Sequence, residues 1–572
     1  MKQIIQRTIL LIAGLLACFN VKATEIKVNN ILYEINTADK TASVLRSDSE
    51  PYSGDIVIPE KIVYQGESFT VTAIGNSAFT KCTSLTSVDI PNSVTTIGES
   101  AFATCISLTS VDIPNSVTTI GESAFATCIS LTSVDIPNSV TTIEYGTFCG
   151  TGLTSVDIPN SITTIGYGAF AYCPNLTSIN IPNSVTTIGE RAFEECTSLT
   201  NVNLPNSVIS IGKEAFKKSG LTSIDIPNSV TTIEQETFQG CNHLESVNIP
   251  NSVTTIGYSA FGYCTNLGSI NIPNSVTTIG ERAFEESSLE SIDIPNSVET
   301  IGAFAFYFCW CLQHVNLPNS IKSIDTAAFM NCNNITSINL PTNITTIAWY
   351  TFCGCQSLKS INIPKSVTSI GKYAFYFCKS LTNIDIPNSV ETIGEYAFQY
   401  CSSLTDIDMP NSVKTIGYAA FSSCHNITTL TLGKATVEIN SDAFYDCERL
   451  KEIYSLNPTP PAINVNDSPF NSYDATLYVP KGSLQAYKSA PVWELFTQIK
   501  EMDATGIEHA QADGVSVIAR QGVIEVVGAT DAMIEVFNMN GQCIYRGKQT
   551  SIPVAQGAYI VRLGGTSHKV MM

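Results

Sequence analysis

The sequence predicts a repeat protein of class α/β: a solenoid of about seventeen coils of 22 or 23 residues with a parallel sheet, followed by a small all-β sandwich. Three observations predict this fold. Phenylalanine recurs at a fixed spacing, the residues between the phenylalanines repeat one apolar pattern, and residues 507–572 change to short alternating runs. Self-similarity at such a period is typical of stacked coils, because one coil cannot bury its apolar face alone.

The phenylalanine column defines the period. Seventeen phenylalanines are separated by 23 residues, or by 22 residues at three places. They are Phe79, Phe102, Phe125, Phe148, Phe170, Phe193, Phe216, Phe238, Phe261, Phe284, Phe306, Phe329, Phe352, Phe375, Phe398, Phe421 and Phe444. One unit, residues 97–119, is repeated in residues 120–142. Such near-identity predicts that equivalent residues of all coils stack in columns.

The sequence of each coil predicts two extended segments and one turn. Residues 110–113 alternate polar and apolar side chains, which predicts a short strand of a parallel sheet. Pro114 ends that strand because proline cannot donate to the ladder, and Val117 with Ile120 begins a second apolar stretch. Residues 121–128 are expected to form a tight turn or a short helix that directs Phe125 inward.

A cysteine follows the phenylalanine by three residues in fourteen units. The three shortened units lack it. The column comprises Cys82, Cys105, Cys128, Cys173, Cys196, Cys241, Cys264, Cys309, Cys332, Cys355, Cys378, Cys401, Cys424 and Cys447. We interpret it as a column of buried thiols whose S–H groups meet carbonyls of the adjacent coil. Disulfides are the alternative.

Zinc is a weaker interpretation of these cysteines, because a column supplies no convergent quartet of ligands. Only the clusters Cys309-Trp310-Cys311 and Cys353-Gly354-Cys355 are candidates for closer inspection. The sequence does not decide the state of Cys149, Cys311, Cys353 and Cys543.

The repeated unit I-G-x-x-A-F-x-x-C-x-x-L-x-S-[VI]-[DN]-[IL]-P-N-S-V resembles the BspA-like leucine-rich repeat family over about two thirds of the chain. The resemblance implies a bacterial protein, secreted or held at the cell surface, that adheres to host proteins or to other bacteria. Its expected partners are a protein ligand or a glycan on those surfaces. The resemblance does not identify the ligand.

The first 23 residues have the pattern of a signal peptide. Lys2 and Arg7 precede an apolar run, residues 9–19, and Val21-Lys22-Ala23 offers a cleavage site. A lipoprotein signal ending at Cys18 is the alternative. No other stretch approaches the roughly 20 apolar residues of a membrane-spanning helix, so we expect an exported protein without a transmembrane segment.

The domain organisation follows from where the repeat begins and ends. We expect a signal peptide at 1–23, an N-terminal cap at 24–73, the solenoid at 74–456, its C-terminal cap at 457–500 and a β-sandwich at 507–572. The sandwich is predicted from alternating runs and from a turn at Asn540-Gly541.

This last domain resembles the C-terminal sorting domain of the type IX secretion system of Bacteroidetes. The resemblance implies contact with that secretion machinery and a final location outside the cell or attached to the outer membrane. The chain ends in Met571-Met572 rather than in a basic residue, where it departs from the pattern. The alternative is an ordinary terminal sandwich.

Charge and motifs argue against several classes of function. The net charge is -20, from 30 Lys and Arg against 50 Asp and Glu, which excludes a basic nucleic-acid groove. Only five histidines are present, and phosphate-binding, zincin and nucleophile-elbow motifs do not occur. We therefore expect neither an enzyme nor a bound cofactor.

Two surface features are candidate sites. The first is an acidic ribbon on the outward face of the predicted strand, for which weak cation binding and a simple solvated surface are the two interpretations. It begins with Asp89, Asp112, Asp135 and Asp157. A metal site there is the weaker interpretation.

The second feature is a set of aromatic residues, the aromatic set, that flanks the phenylalanine column in the later coils. It comprises Phe304, Tyr307, Phe308, Trp310, Trp349, Tyr350, Tyr373, Tyr376, Phe377, Tyr396 and Tyr400. Aromatic side chains on one surface are recognition anchors for proteins and sugars. The alternative is that they pack the convex edge of the solenoid.

The sequence thus favours an exported cell-surface binding protein, an adhesin that recognises host or bacterial surface proteins. An architectural spacer of the cell surface and a polysaccharide-binding accessory protein are the alternatives. A spacer would be indifferent to loss of the aromatic set, whereas a polysaccharide binder would bind glycans and no protein.

Overall fold

The structure, a computed structural model, describes residues 24–47, 50–463 and 468–502, together with the strands of the C-terminal region. The signal peptide predicted at 1–23 lies outside the described residues. The chain divides into two compact units, the first ending at Leu381 and the second beginning at Thr382. The sequence did not predict this division, and the domain boundaries given above stay predictions.

Each coil has three sides, and the coil of Phe102 illustrates them. Strand A is Ser110–Asp112 and strand B is Thr119–Ile120. A turn segment precedes each strand A and joins it to the strand B of the coil before. We call this segment, residues 99–107 here and its equivalents elsewhere, the turn edge. The tight turn, rather than the short helix, is therefore the form adopted between the strands. The predicted solenoid of parallel strands is confirmed.

Strand A carries alternating side chains, as expected: Ser110 and Asp112 are exposed and Val111 is buried. It pairs in parallel with its equivalent one coil earlier, Val88 opposite Val111. It ends one residue earlier than predicted. The strands A of the first unit are Leu85–Asp89, Ser110–Asp112, Ser155–Asp157, Ser178–Asn180, Ser223–Asp225, Ser246–Asn248, Ser291–Asp293, His314–Asn316, Ser337–Asn339 and Ser360–Asn362.

Strand B is shorter but recurs in every coil of the first unit. Its isoleucine is buried and its Thr or Ser lies at the surface. The strands B of the first unit are Thr96–Ile97, Thr119–Ile120, Thr142–Ile143, Thr164–Ile165, Thr187–Ile188, Ser210–Ile211, Thr232–Ile233, Thr255–Ile256, Thr278–Ile279, Thr300–Ile301, Ser323–Ile324, Thr346–Ile347 and Ser369–Ile370.

The pairing of strands A breaks between His314–Asn316 and Ser337–Asn339, in coils of full length, and at the three shortened coils. These coils resume with strands A that begin at Ser155, Ser223 and Ser291, and no strand A is formed in the coil immediately before each of them. In each shortened coil one residue is missing between the column phenylalanine and strand A, close to Gly152 in the first of them.

The turn edge is held by two kinds of backbone hydrogen bond. Within a coil, Ala103 N donates to Ser100 O at 3.1 Å, a turn bond. Between coils, Ser100 N and Thr104 N donate to carbonyls of the next coil at 2.8 and 2.7 Å. Ser100 and Thr104 adopt left-handed φ values of 54° and 63°. These two positions lie two residues before and two residues after the column phenylalanine, and they are left-handed throughout the repeat.

The core consists of the phenylalanine column and its aliphatic neighbours. All seventeen column phenylalanines have no exposed surface. Their rings stack coil on coil, for example Phe216 on Phe238 at 5.8 Å and Phe238 on Phe261 at 5.4 Å. Burying one such ring contributes about 1.5–3 kcal/mol, and the contribution is available only when both neighbouring coils are present.

The two ends of the array are closed by different elements. At the N-terminus, Tyr52 packs on Phe79 with a centroid distance of 4.9 Å. The strands here are Thr24–Val28, Ile31–Asn36, Thr41–Val44, Gly54–Val57, Lys61–Tyr64 and Glu67–Ile74. The first three pair antiparallel and the array's parallel register begins where Thr41–Val44 pairs with Glu67–Ile74.

The second unit continues the same coil. Its strands are Thr392–Ile393, Asp406–Asp408, Thr415–Ile416, Thr429–Leu432, Glu438–Ile439, Glu452–Ser455, Thr476–Val479 and Gln498–Glu501. Phe470 extends its phenylalanine stack, with its ring 5.6 Å from Phe444. The helix Leu484–Lys488 and the 3-10 turn Trp493–Leu495 close this stack, and Trp493 Nε1 donates to Pro461 O at 2.8 Å.

The C-terminal region contains eight strands in two four-stranded antiparallel sheets. The first sheet is Ala510–Ala512, Val515–Arg520, Val523–Val527 and Ser551–Pro553. The second is Cys543–Gly547, Ile534–Asn538, Ala558–Leu563 and Thr566–Met571. The predicted small all-β domain is therefore present, whereas the predicted turn at Asn540-Gly541 and the final Met572 lie outside the described residues.

Candidate functional site

The turn edge displays the side chains that differ most from coil to coil. The column phenylalanine and cysteine point inward, so the positions that flank them are the ones left half-buried or exposed. In the coils of Phe193 and Phe216 these positions hold charges. Arg191 contacts Glu214 at 3.0 Å, and Lys217 contacts Glu214 at 3.1 Å. The same positions hold the aromatic set in later coils.

The first four members of the aromatic set lie on the single coil of Phe306. Tyr307 packs edge-on against Phe304 at 5.5 Å and against Phe308 at 4.5 Å. Arg282 of the preceding coil lies over the Phe304 ring at 4.6 Å. Trp310 is 55% exposed. This coil therefore presents an exposed indole beside a cluster of half-buried rings.

The next five members lie on the coils of Phe352 and Phe375. Tyr350 stacks on Tyr373 at 4.6 Å, which is the coil-to-coil stacking expected from the sequence. Tyr376 contacts Tyr373 edge-on at 5.5 Å and Phe377 at 6.0 Å. Trp349 is 59% exposed. We call these five residues and the four on the coil of Phe306 the first-unit aromatic patch.

The aromatic set is not one uninterrupted stack. The coil of Phe329, which lies between the two groups of the first unit, carries Thr326, Ala327, Met330 and Asn331 at the equivalent positions. Tyr396 and Tyr400 belong to the second unit, where Tyr396 contacts Tyr418 edge-on at 5.1 Å. The prediction that these rings act together as one site stays a prediction.

None of the eleven residues of the aromatic set is fully buried. Trp310, Trp349 and Tyr400 are exposed, and the other eight are half-buried. The half-buried rings can therefore both pack the turn edge and contact a ligand, because they contact one another and still reach solvent. The two tryptophans in the first-unit aromatic patch are the rings with most surface free for a ligand.

Several members occupy the left-handed backbone positions. Phe308, Tyr350 and Phe377 have φ values of 55°, 58° and 63°. Left-handed backbone costs a residue with a side chain roughly 1–2 kcal/mol, and Gly or Asn is usually found there. The backbone conformation therefore does not favour large rings at these positions. Their presence favours a role for the side chain.

Two lysines lie over rings of the first-unit aromatic patch. Residues 326–384 contain four lysines and no Asp or Glu, while the whole chain carries a net charge of -20. Lys379 lies over Phe377 at 4.2 Å and Lys372 lies over Tyr373 at 5.4 Å. The stretch 326–384, which holds five of the nine patch residues, is therefore basic, whereas Glu285 and Glu286 lie near Tyr307 of the other four. Our sequence reasoning missed the basic stretch, although the run without acidic residues was the signal.

Sequence reasoning also missed aromatic residues on the earlier turn edges. Tyr145 stacks on Tyr167 at 4.9 Å, and Tyr145 is 50% exposed. Tyr172, Tyr258 and Tyr263 are exposed as well. These side chains occupy the same columns as the aromatic set, so reading the columns down the whole array would have found them.

The acidic ribbon lies where strand A places it, on the solvent side. Asp89, Asp112, Asp135 and Asp157 are all exposed, and Asp89 is in register with Asp112. Asp135 lies in a coil that forms no strand A, so the ribbon is interrupted there. Among the residues that the structure describes, these carboxylates do not form a group of three close enough to share an ion. Cation binding by the ribbon stays a prediction.

The cysteine column has the geometry expected of buried thiols. Cys105 Sγ donates to Phe79 O of the preceding coil at 3.0 Å, and the same bond recurs along the column. In the shortened coils a hydroxyl takes the place of the thiol. Thr151 Oγ1 lies 3.2 Å from Cys173 Sγ, and Ser219 and Ser287 make equivalent contacts. The cysteines among the described residues are free thiols.

The two cysteine clusters singled out as zinc candidates do not converge. Cys309 and Cys355 point into the buried column, whereas Cys311 is half-buried and Cys353 lies on the turn edge. Within the described part of the chain, the group of three ligand side chains close enough to share a metal ion is His425, Asp446 and Glu448.

We expect the column thiols to be unreactive in the folded protein. Burial raises the pKa of Cys128 to about 12 and that of Cys173 to about 11, and the thiolate is the reactive form. Iodoacetamide should label Cys543, which is exposed, and few others in the native full chain, while denaturation without reductant should make most thiols reactive. Raising the pH from about 7 to about 9 should leave Cys128 and Cys173 unlabelled, because these thiols stay protonated below their raised pKa.

The measurement is mass spectrometry of the labelled peptides. Column thiols that stay unlabelled after denaturation without reductant would show disulfides and contradict the interpretation of the column.

Comparison with known proteins agrees with the repeat. The family model described as BspA type leucine rich repeat region matches residues 61–177, 163–289, 277–384 and 368–471, which together run from 61 to 471. A comparison with curated proteins gave no match. No helix in the described part of the chain is long and apolar enough to cross a membrane.

Two solved structures are similar to this chain. A leucine-rich repeat protein from Bacteroides ovatus is 27% identical, with 75% of this chain and 94% of that chain covered and a TM-score of 0.42. A leucine rich cell surface protein from Faecalibacterium prausnitzii is 31% identical, with 67% of this chain and 94% of that chain covered and a TM-score of 0.36.

Proposed function

Because the chain belongs to the BspA-type leucine-rich repeat family, we propose that it is an exported protein that binds other proteins at a bacterial cell surface, without enzymatic activity. The ligand surface is the first-unit aromatic patch with the lysines around it. The role is that of an adhesin, which holds the cell to a host or bacterial surface protein.

The observation that carries this proposal is the local break from the repeat. Core columns keep one residue type from coil to coil, whereas the patch replaces small and charged residues with rings, two of which are more than half exposed. Exposed tryptophans supply large apolar area at low cost in conformational entropy. A solenoid that served only as a spacer has no physical need for them.

The lysines define the kind of protein ligand. Lys372 and Lys379 lie over patch rings, and their positive charges attract an acidic surface. Because the rest of the chain is acidic, such a ligand is steered toward the patch and repelled elsewhere. We therefore propose a ligand that buries apolar or aromatic side chains within an acidic rim.

Export and attachment complete the proposal. Residues 1–23 act as the signal peptide, and residues 507–572 act as a sorting domain read by the type IX secretion machinery of a bacterium of the Bacteroidetes. The small antiparallel C-terminal domain supports this role, since it is separate in sequence from the repeat. The mature binding protein is then secreted or attached to the outer membrane.

The proposal is tested by neutralising the lysines. The full chain and a Lys359→Gln, Lys365→Gln, Lys372→Gln, Lys379→Gln variant are compared for binding to immobilised host extracellular and bacterial surface proteins. We expect the variant to bind at least about tenfold more weakly and to lose most of the salt dependence, since rim charges act through long-range attraction. Biolayer interferometry at two salt concentrations measures both effects.

A matched control removes a lysine of the repeat that lies outside the first-unit aromatic patch. Lys414 contacts Glu391 at 2.7 Å, so Lys414→Gln should leave binding unchanged. Equal binding by the quadruple variant, or binding of no protein by the unaltered chain, would contradict the proposed function.

A further inference from the structure

A separate pocket opens on the turn edge of the first unit at the second shortened coil. It has a volume of about 630 Å³ and lies over Gly220 and Gly240, with Lys218, Asn242 and Tyr263 around it. Ligand pockets in proteins usually measure roughly 300–1,000 Å³. The pocket is distant in sequence from the first-unit aromatic patch and contributes nothing to the function proposed above.

The pocket exists because the chain has glycine, which carries no side chain, at Gly220 and Gly240. The shortened turn passes so close to the preceding coil that a Cβ on Gly220 would lie 2.2 Å from Thr197 O, so only glycine fits there. After the other two shortened coils, the next coil places a large ring two residues beyond its phenylalanine, Tyr172 and Phe308. After this one, the equivalent residue is Gly240.

The side chains around the pocket suit an uncharged polar ligand with an apolar face. Asn242 and His243 are exposed and offer donors and acceptors, and Tyr263 offers a ring that is 37% exposed. Lys218 is held by Glu195 at 2.8 Å, so its charge is balanced. A sugar has this combination of groups, since hydroxyls surround a ring whose C–H face packs on aromatic side chains.

The structure holds Tyr263 in place. Its backbone N donates to Glu285 O, and partial burial together with the Glu285 and Glu286 carboxylates raises the pKa of the Tyr263 hydroxyl. Glu285 is itself buried and contacts Arg282 at 2.6 Å. The tyrosine is therefore a preformed wall of the pocket, which lowers the entropy lost when a ligand binds.

We propose that this pocket binds the end of a neutral glycan, with a sugar ring against Tyr263 and hydroxyls bonded to Asn242 and His243. An anionic sugar is disfavoured, because Lys218 is neutralised by Glu195 and the chain carries a net charge of -20. The site is independent of the first-unit aromatic patch, so either can fail without the other.

The test blocks the pocket with a side chain of the protein itself. Gly240→Tyr introduces the ring that the equivalent position carries in Tyr172, and the same left-handed backbone accommodates it, with φ 70° at Gly240 and 58° at Tyr172. The full chain is applied to a printed array of neutral and sialylated oligosaccharides. We expect the unaltered chain to bind neutral oligosaccharides, Gly240→Tyr to abolish that binding, and Tyr263→Ala to weaken it about tenfold.

The control is Gly150→Tyr, the same substitution at the same coil position and a left-handed φ of 68°, which should leave glycan binding intact. Circular dichroism checks that all variants are folded. Binding of no neutral oligosaccharide by the unaltered chain, retention of binding by folded Gly240→Tyr, or a preference for sialylated over neutral oligosaccharides would each overturn the proposal.

Discussion

Replacing Phe238 with Ala should lower the free energy of unfolding by about 3–5 kcal/mol. The ring has no exposed surface and stacks at 5.8 Å on Phe216 and at 5.4 Å on Phe261. The cavity left behind would remove contacts from both neighbouring coils, and rings fixed in a column cannot move together to close it. Denaturant unfolding followed by circular dichroism measures the change.

Phe238→Leu is the matched control for this effect. It keeps much of the volume and should cost less than half as much, because hydrophobic swaps of similar size are tolerated best. Iodoacetamide labelling of Cys241 in native Phe238→Ala protein adds a local measurement, since this thiol donates to Phe216 O beside the cavity. A loss below about 1 kcal/mol for the alanine variant would contradict the account of the column as the main source of stability.

Replacing Trp310 and Trp349 together with Ser should reduce binding of the protein ligand by at least about 30-fold, since one anchor residue contributes about 2 kcal/mol or more. The two indoles are 55% and 59% exposed in the free protein, so the variant should unfold at nearly the same temperature as the unaltered chain. Surface plasmon resonance and a thermal melt measure the two quantities. Adding Tyr376→Ser should weaken binding further and also lower stability, because that ring is half-buried against Tyr373.

A double substitution on an earlier part of the array controls for loss of exposed apolar surface. Ile129 and Tyr145 stand at the coil positions of Trp310 and Trp349 and are 56% and 50% exposed. Changing both to Ser should leave binding unaltered. Undiminished binding by the double tryptophan variant would assign the patch rings to packing, and the spacer hypothesis would then be preferred.

The fold could be predicted from the sequence because every structural column has its own residue type. The phenylalanine period gave the coil, and the thiols were expected to donate to the neighbouring coil, as Cys105 does. The interruptions of the strand A sheet could not be predicted from the pattern of Ser155–Asp157, which matches that of any other coil. One of them falls between His314–Asn316 and Ser337–Asn339, in coils of full length, so coil length alone does not account for them.

The candidate site was predicted less completely for a different reason. The residues of the aromatic set were named from their columns, but exposure depends on how neighbouring rings cover one another, as with Tyr373 under Tyr350. The pocket beside Gly240 could not be foreseen, since it arises from absent side chains. Composition over the whole chain also hid the basic stretch from 326 to 384, because the total charge is dominated by acids elsewhere.

The two left-handed positions of each turn edge have a consequence for how such a protein can diversify. Their backbone is held by N–H groups that donate hydrogen bonds to carbonyls of the next coil, as with Ser100 and Phe304, whatever side chain is attached. Ser, Thr, Glu, Lys, Phe and Tyr all occupy these positions in this one chain. A single codon change there alters surface chemistry while the coil beneath is preserved. New binding specificities can therefore arise by substitutions along the turn edge, and a chosen binding surface could be designed there in the same way.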